Sequence, residues 1–402
     1  MISSRSNQPK VLVITPRFPY PVVGGDRLRI YEVCKELSKY CSLTLLSLCE
    51  TKGERDFDIP DDGVFERVER HYLPPFRSYW NAMLSILSDK PLQVAYYWDS
   101  RFRASVERAA VNHDVCIAHL VRTSEYLRHV DKPKILEMTD AISLNYDRVK
   151  SERNNRAFRS QIYSFESDRL RRYEVDVSHA FDASFVVSDV DRMTLLGNGA
   201  SQNIFVASNG VDAFKYTYKD RRSNAKVIVF IGNMFSHQNL DAVRYFARDV
   251  MPLLMEKGDF VFRVIGRIRM RHIEELKSFG CVEVRANVPD VSEAVGDAPV
   301  AVAPIRLGAG VQNKVLEYMA LGIATVVSPI ALEGFNVEPG KHLLVAKTAR
   351  EYAEHVENLI FDENMRLGIA QEARKFVECN QSWPVQLAPL TRAVFNLAEN
   401  KS

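Results

Sequence analysis

"RLGAGVQNKVLEYMALG", residues 306–322, is the stretch on which the reading of this chain turns. Gly308 and Gly310 follow the strand-like run VAVAP (300–304) and lead into an amphipathic stretch, 311–321, before a second strand-like run, ATVVS (324–328). A strand, a glycine loop, a helix and a further strand make one unit of a parallel sheet. The start of such a helix exposes unpaired N–H groups at the positive end of its dipole, and glycines let phosphates approach the backbone. Lys314 can add a point charge there. Glu317, three residues on and along the same face, can reach a sugar hydroxyl such as a ribose. Taken alone, the segment favours a glycine turn with a surface pair of Lys314 and Glu317.

Working outward, short aliphatic runs recur on both sides of a polar stretch, TYKDRRSNA (217–225). The first series is VLVIT (11–15), SLTLLSL (42–48), VCIA (115–118), KILEM (134–138), ASFVV (183–187) and IFVA (204–207). The second is KVIVFI (226–231), FVFRVI (260–265), VEVR (282–285), VAVA (300–303), ATVVS (324–328) and LLVA (343–346). Continuously apolar strands belong to parallel sheets covered on both faces. Ile30, Val33, Cys34 and Leu37 form the stripe of a helix packed on such a sheet. The fold class read here is α/β, with two doubly wound Rossmann-like domains facing across a cleft. The N-terminal domain is 1–207, with a terminal helix, 381–402, packing back on it, and the C-terminal domain is 208–380. Ligands in such sheets sit beyond the carboxyl ends of the strands.

Composition sets bounds. With 402 residues, 46% hydrophobic and 26% charged, the chain can bury real cores, and a net charge of +2 gives no support for a nucleic-acid partner. No apolar run reaches the roughly 18–20 residues of a membrane span. The polar start, MISSRSNQPK, lacks the features of a signal peptide, and six scattered cysteines without CxxC pairs suggest neither zinc nor disulfides. A cytoplasmic location is expected.

The segment GAGVQNKVLEYMALG…TVVSPIALEG resembles the nucleotide-sugar site of family-four glycosyltransferases, retaining enzymes of the GT-B fold. It is most similar to their exosortase- or exopolysaccharide-associated sugar transferases. The likeness extends through PRFPYPVVGGDRLR (16–29), KPLQVAYY (90–97), RLRRYEVDVSHAFDASFVVS (169–188), VASNGVDAFKY (206–216), FIGNMFSHQNLDAVRYF (230–246) and NVPDV (287–291). It implies a nucleotide diphosphate on the C-terminal domain. Gly308, Gly310 and Val311 would present N–H groups to the phosphates, Lys314 a cation, and Glu317 a ribose contact, with Arg267 and Val288 at the base. No metal or other cofactor is implied, because preorganised N–H groups and a cation can stabilise a departing diphosphate. Two departures stand out. Ala309 occupies the position of a common donor-sugar glutamate, and GNMFSHQN, with Asn233 and His237, replaces an Arg and Lys pair.

In the N-terminal domain, Gly25 in VGGDRLR is the glycine expected to approach the donor, more so than Gly24. Asp26 reads as a helix cap, and Arg27 or Arg29 as pointing to an anionic acceptor or to solvent. His119 ends the strand VCIA and Asp140 follows KILEM, both at carboxyl ends. They are the candidate catalytic residues beside Lys314. No acid and base pair of the hydrolase type is evident, and the resemblance implies that the leaving phosphate takes the acceptor proton. SDVDR (188–192) starts a helix, so Ser188 and Asp189 read as caps rather than metal ligands.

Two segments bear on partners. FRSYWNAMLSILS (76–88) puts Phe76, Tyr79, Trp80, Met83, Leu84 and Leu87 on one face, which ordinarily packs on its own domain and otherwise suits a lipid interface. Arg148, Lys150, Arg153, Arg156, Arg159, Arg169, Arg171 and Arg172 form a solvated basic face, or else one drawn to anionic lipid at the inner face of the cell membrane. The expected partners are a nucleotide sugar and a glycan or polyprenyl-linked acceptor. A nucleotide-sugar epimerase of the same fold and a non-catalytic nucleotide-sugar-binding protein are the alternatives.

Overall fold

A computed structural model describes residues 8–150, 157–223, 225–288, 290–307 and 311–399, with side chains outside 149–164. The chain divides into two compact units, residues 1–208 with 387–402, and residues 209–386.

The first unit is built on a sheet of seven strands: β1 (Lys10–Thr15), β2 (Ser42–Cys49), β3 (Arg67–Tyr72), β4 (Val115–His119), β5 (Lys134–Thr139), β6 (Ala183–Val186) and β7 (Ile204–Val206). Their order is β3-β2-β1-β4-β5-β6-β7, parallel throughout. β1 pairs with β2 on one edge and β4 on the other, with Leu12 opposite Thr44 and Cys116. Strand order reverses there, which opens a crevice at the carboxyl ends of β1 and β4. β3 was not expected. Its sequence, RVERHY, is too polar for a covered strand, and it lies at the sheet edge with no fully buried side chain.

The second unit has six parallel strands: β8 (Val227–Ile231), β9 (Val261–Gly266), β10 (Val282–Ala286), β11 (Val300–Ala303), β12 (Ala324–Val327) and β13 (Leu344–Val345). The order is β10-β9-β8-β11-β12-β13, with the reversal at β8 and β11. Gly266 has φ of 133°, and a Cβ there would lie 2.0 Å from the Gly232 carbonyl oxygen, so the ends of β8 and β9 can meet only through glycine. The core holds Val229, Phe230, Phe262, Val302, Leu316 and Val326, each with essentially no exposed surface. Each unit is thus a doubly wound α/β layer structure, and the chain has the GT-B fold.

Three readings are corrected. Asp26 does not cap its helix: Gly24 is the N-cap of Gly25–Leu37, with φ of 104°, and Asp26 lies in the first turn. Of Ser188 and Asp189, only Ser188 caps, its Oγ accepting from Asp191 N at 3.1 Å, and Asp189 is the first helical residue. The helix Pro75–Ser85 does not pack its apolar stripe on its own unit. Phe76, Tyr79, Trp80, Met83, Leu84 and Leu87 are all exposed, and its buried residues are Ser78 and Ser85. The basic positions Lys150, Arg153, Arg156 and Arg159 lie outside the described side chains. Of the others, Arg171 pairs with Asp147 at 2.5 Å, and Arg169 is buried against Glu166 at 3.2 Å.

Candidate functional site

At the carboxyl ends of β4 and β5, the first unit buries a charged relay. His119 closes β4 and Glu137 lies within β5, 2% and 0% exposed. Arg29, at 1%, reaches them from the helix Gly25–Leu37. Arg29 Nε donates to Glu137 Oε1 at 3.2 Å, while Nη1 and Nη2 donate to the Ser208 and Ala207 carbonyls at 2.6 Å each. Arg29 therefore points neither to solvent nor to an acceptor, and Arg27 instead pairs with Glu54. Burial alone would raise the Glu137 carboxyl. The Arg29 charge, then the His119 hydrogen bond, outweigh it and pull the value down to about 2. An ionised carboxylate only accepts, so His119 Nδ1 carries the proton that bonds Glu137 Oε2 at 2.5 Å. This orients the ring and makes Nδ1 its donor nitrogen toward the strand.

The backbone around the relay is constrained. Leu120 and Thr139, just past His119 and two residues past Glu137, have φ of 62° and 65°, values that a bulky or β-branched residue adopts only when its surroundings impose them. Thr139 Oγ1 donates to Glu137 Oε2 at 3.1 Å. Asp140 follows, half-buried, and its carboxylate has no hydrogen-bond partner among the described residues. Burial first, then the charges of Asp191 and Glu137, push it up to about 7. Asp26 pairs with Arg17 at 3.2 Å. Burial raises its carboxyl, but Arg17, with help from His119 and Arg122, holds it below the ordinary value. Two carboxyls, Glu137 and Asp140, are therefore driven to opposite protonation behaviour in one place. Gly25 opens its helix with nothing within 4 Å of where a Cβ would stand, whereas Gly24 is held glycine by its backbone angle.

In the second unit, the helix Asn313–Ala320 follows β11 and begins two residues later than expected, because Gln312 is non-helical. It buries Val315, Leu316, Tyr318, Met319 and Ala320. Lys314 and Glu317 are half-buried and form no ion pair with each other, so the surface pair is not present. Lys314 Nζ instead donates to Asn239 Oδ1 at 2.9 Å and Gln312 Oε1 at 3.0 Å, and lies 5.3 Å from the centre of the Phe230 ring. Burial lowers its ammonium to about 8 against a smaller opposing pull from Glu317. Burial raises Glu317, opposed by a hydrogen bond from Tyr216 and by Lys314.

Asn233 is exposed and caps its own turn, Oδ1 accepting from Phe235 N at 3.1 Å. Arg267 follows β9, exposed, its guanidinium 5.3 Å from the Phe235 ring centre. Val288 follows β10, half-buried against the core. Val311 is half-buried beside Gln312. Gly308, Ala309 and Gly310 lie outside the described residues. Lys314, Glu317, Asn233, Arg267 and Val288 thus all follow or adjoin carboxyl ends of second-unit strands, and His119 and Asp140 those of the first.

Sequence reasoning missed Glu137 and Tyr216, and it named Arg29 without its buried partners. For Glu137 the signal was present: a lone acid inside the apolar run KILEM must be paired if the strand is covered.

In this GT-B chain, residues 225–362 of the second unit match the family described as Glycosyl transferases group 1. A Klebsiella pneumoniae protein, described as an uncharacterized 44.6 kDa protein in cps region, is 25% identical over 395 residues, 92% of this chain and 96% of its own. Among solved structures, Anabaena HepE in complex with UDP and glucose has a TM-score of 0.67 at 14% identity, covering 96% of this chain and all of its own. Sucrose-phosphate synthase from Thermosynechococcus elongatus has a TM-score of 0.72 at 14% identity, covering 97% and 99%. A substituted form of S. aureus TarM, a single-residue mutant, in complex with fondaparinux, alpha-GlcNAc-glycerol and UDP, has 0.67 at 11%, covering 97% and 99%. Among the described residues no helix is long and apolar enough to cross a membrane.

Proposed function

We propose that this chain transfers a sugar from a nucleotide-diphosphate donor to a surface-polysaccharide or lipid-linked glycan acceptor, with retention at the anomeric carbon and without a metal. The observation that carries the reading is the pair Lys314 and Glu317 at the start of the helix after β11. Both are half-buried, not paired to each other, and shifted toward neutrality by burial. A diphosphate beside Lys314 and a ribose hydroxyl donating to Glu317 would each favour the charged form that burial disfavours. In this reading Gly308, Gly310 and Val311 give N–H groups to the phosphates, Ala309 faces the donor sugar, Arg267 and Val288 flank the base, and Asn233 and Gly25 border the diphosphate. The C1–O bond to phosphate breaks with its electron pair on the leaving oxygen, the acceptor oxygen bonds C1, and the leaving phosphate takes the acceptor proton. His119, held by Glu137, and Asp140 position the sugar and acceptor hydroxyls. HepE crystallised with UDP and glucose, TarM crystallised with UDP and glycans, and the cps-region relative support this choice of donor and acceptor class.

Asp140 and Glu137 favour one second reading, a nucleotide-sugar epimerase, in which a carboxyl near neutrality moves a proton. Incubation with uridine, thymidine and guanosine diphosphate sugars separates the two. Release of nucleoside diphosphate by transfer or slow hydrolysis supports the transferase, and interconversion of intact nucleotide sugars supports the epimerase. Binding with unchanged donor, across acceptors and pH, would remove both.

A further inference from the structure

The helix Pro75–Ser85 is turned the wrong way for a soluble surface. Its seryl side faces in, with Ser78 2% and Ser85 6% exposed, and Asn81 Nδ2 donates to the Trp98 carbonyl at 2.7 Å. Its apolar stripe faces out: Phe76 72%, Tyr79 67%, Trp80 58%, Met83 50%, Leu84 55% and, just past its end, Leu87 93%. Six large apolar groups at helical spacing make one continuous face, not the scattered single side chains of an ordinary surface.

The surroundings select the occupant. Residues 70–88 contain no Asp or Glu, and of their two arginines Arg77 pairs with Asp99 at 2.9 Å while Arg70 donates to the Glu54 and Phe57 carbonyls. The stripe combines Phe, Tyr and Trp with Met and Leu, the residue types of the apolar face of an interfacial helix. At the helix's far end, Arg169 ties down the chain, Nη2 donating to the Ser85 and Ser88 carbonyls at 2.6 and 2.5 Å, and its Nε has no acceptor. Arg169 lines an open groove with Lys90, Arg128 and Arg172, in which Lys90 pairs with Glu125 at 2.7 Å, Arg128 with Asp176 at 2.5 Å and the buried Arg169 with Glu166 at 3.2 Å, so that Arg172 is its cation without an ion pair among the described residues. Among the described residues the Arg172 side chain reaches only a backbone carbonyl, that of Asp168 at 3.4 Å. Phe165, 52% exposed, lies under the Arg169 guanidinium and extends the apolar surface toward this groove.

We infer that this face is a membrane-docking surface: the Pro75–Ser85 helix lies in the interface of an anionic phospholipid bilayer, stripe inward, with the Lys90 to Arg172 groove against the lipid phosphates. The inference goes beyond sugar transfer and stands without it. Donor binding measured in vesicle-free buffer tests the transfer reading separately.

The test is co-sedimentation of the full chain with vesicles of phosphatidylglycerol and phosphatidylcholine, and with phosphatidylcholine alone. Association with the anionic vesicles is expected, weakening as salt rises. Leu84→Asp with Leu87→Asp should lower the partition at least tenfold, and so should the milder Leu84→Ser with Leu87→Ser, each with an unchanged thermal midpoint because both side chains are exposed. Arg172→Glu should reduce the preference for anionic lipid. No association with either vesicle at low salt overturns the inference, as does undiminished binding by both double variants. So does a wild-type dimer that those variants dissolve while vesicle binding is absent, since a second copy would then cover the face.

Discussion

Two polar clusters at the carboxyl ends of parallel strands use their charges in opposite ways. In the first unit, Arg29, Glu137 and His119 are almost wholly buried and satisfy one another, and the spare donors of Arg29 go to the Ala207 and Ser208 carbonyls. In the second, Lys314 and Glu317 sit near each other on one helix face without an ion pair, each bonded to neutral partners. A closed ion network fixes geometry, here the orientation of His119. An open pair of shifted charges holds interaction energy in reserve for a ligand. The difference assigns positioning to one cluster and binding to the other, and each can be broken separately.

The largest effect is expected at Glu137. Glu137→Gln removes the carboxylate that pairs with the buried Arg29 guanidinium, at a cost of about 3–5 kcal/mol to the first unit. In the wild type this carboxylate, depressed to about 2 from 4.5, contributes stability that is complete above the unfolded value and is lost as pH falls from 4.5 toward 2. The variant should lack that acid limb. Denaturation followed from about pH 2 to pH 7 measures both, and equal stability of the two proteins at neutral pH would mean that Arg29 is held by its carbonyl contacts alone.

Glu317 should respond in the opposite sense. Glu317→Ala removes the acceptor of the Tyr216 hydrogen bond at a half-buried site, a stability cost of about 1 kcal/mol. If the carboxylate binds ribose, the loss of a charged acceptor weakens nucleoside diphosphate binding by about 1.5–3 kcal/mol, roughly 10- to 150-fold. Calorimetry with the free diphosphate decides it: an unchanged affinity removes the ribose assignment, whatever happens to the melting temperature.

Much of this was legible beforehand, and what was not has identifiable causes. Covered parallel strands are apolar along their whole length, so β1, β8 and β11 announced themselves, while β3 carries the charges an edge strand tolerates and was passed over. The helix start at Asn313 was misplaced because apolar spacing continues through Gln312 although its backbone does not. Periodicity also specified the stripe of Pro75–Ser85 correctly and its direction wrongly: spacing defines a face, and only tertiary structure says what covers it. Lys314 and Glu317 lie on neighbouring turns and could be paired by counting. The Arg29, Glu137 and His119 relay joins residues up to 108 apart in sequence, and no local pattern encodes that meeting.

The smallest and most specific effect concerns protons at Lys314. Its ammonium, lowered to about 8 by burial, is partly deprotonated near that pH in the free protein. A diphosphate placed against it favours the charged form, so its pKa rises on binding and a proton is taken up, about half of one per nucleotide near pH 8. The sign follows directly: affinity should fall as pH rises through 8, and proton uptake should vanish near pH 6, where Lys314 is already charged. Calorimetry at each pH in buffers of different ionisation enthalpy reads the proton count. Lys314→Arg keeps the cation but cannot take up a proton, so it should bind with no buffer dependence near pH 8. Uptake that persists in this variant would place the titrating group elsewhere and detach Lys314 from the phosphates.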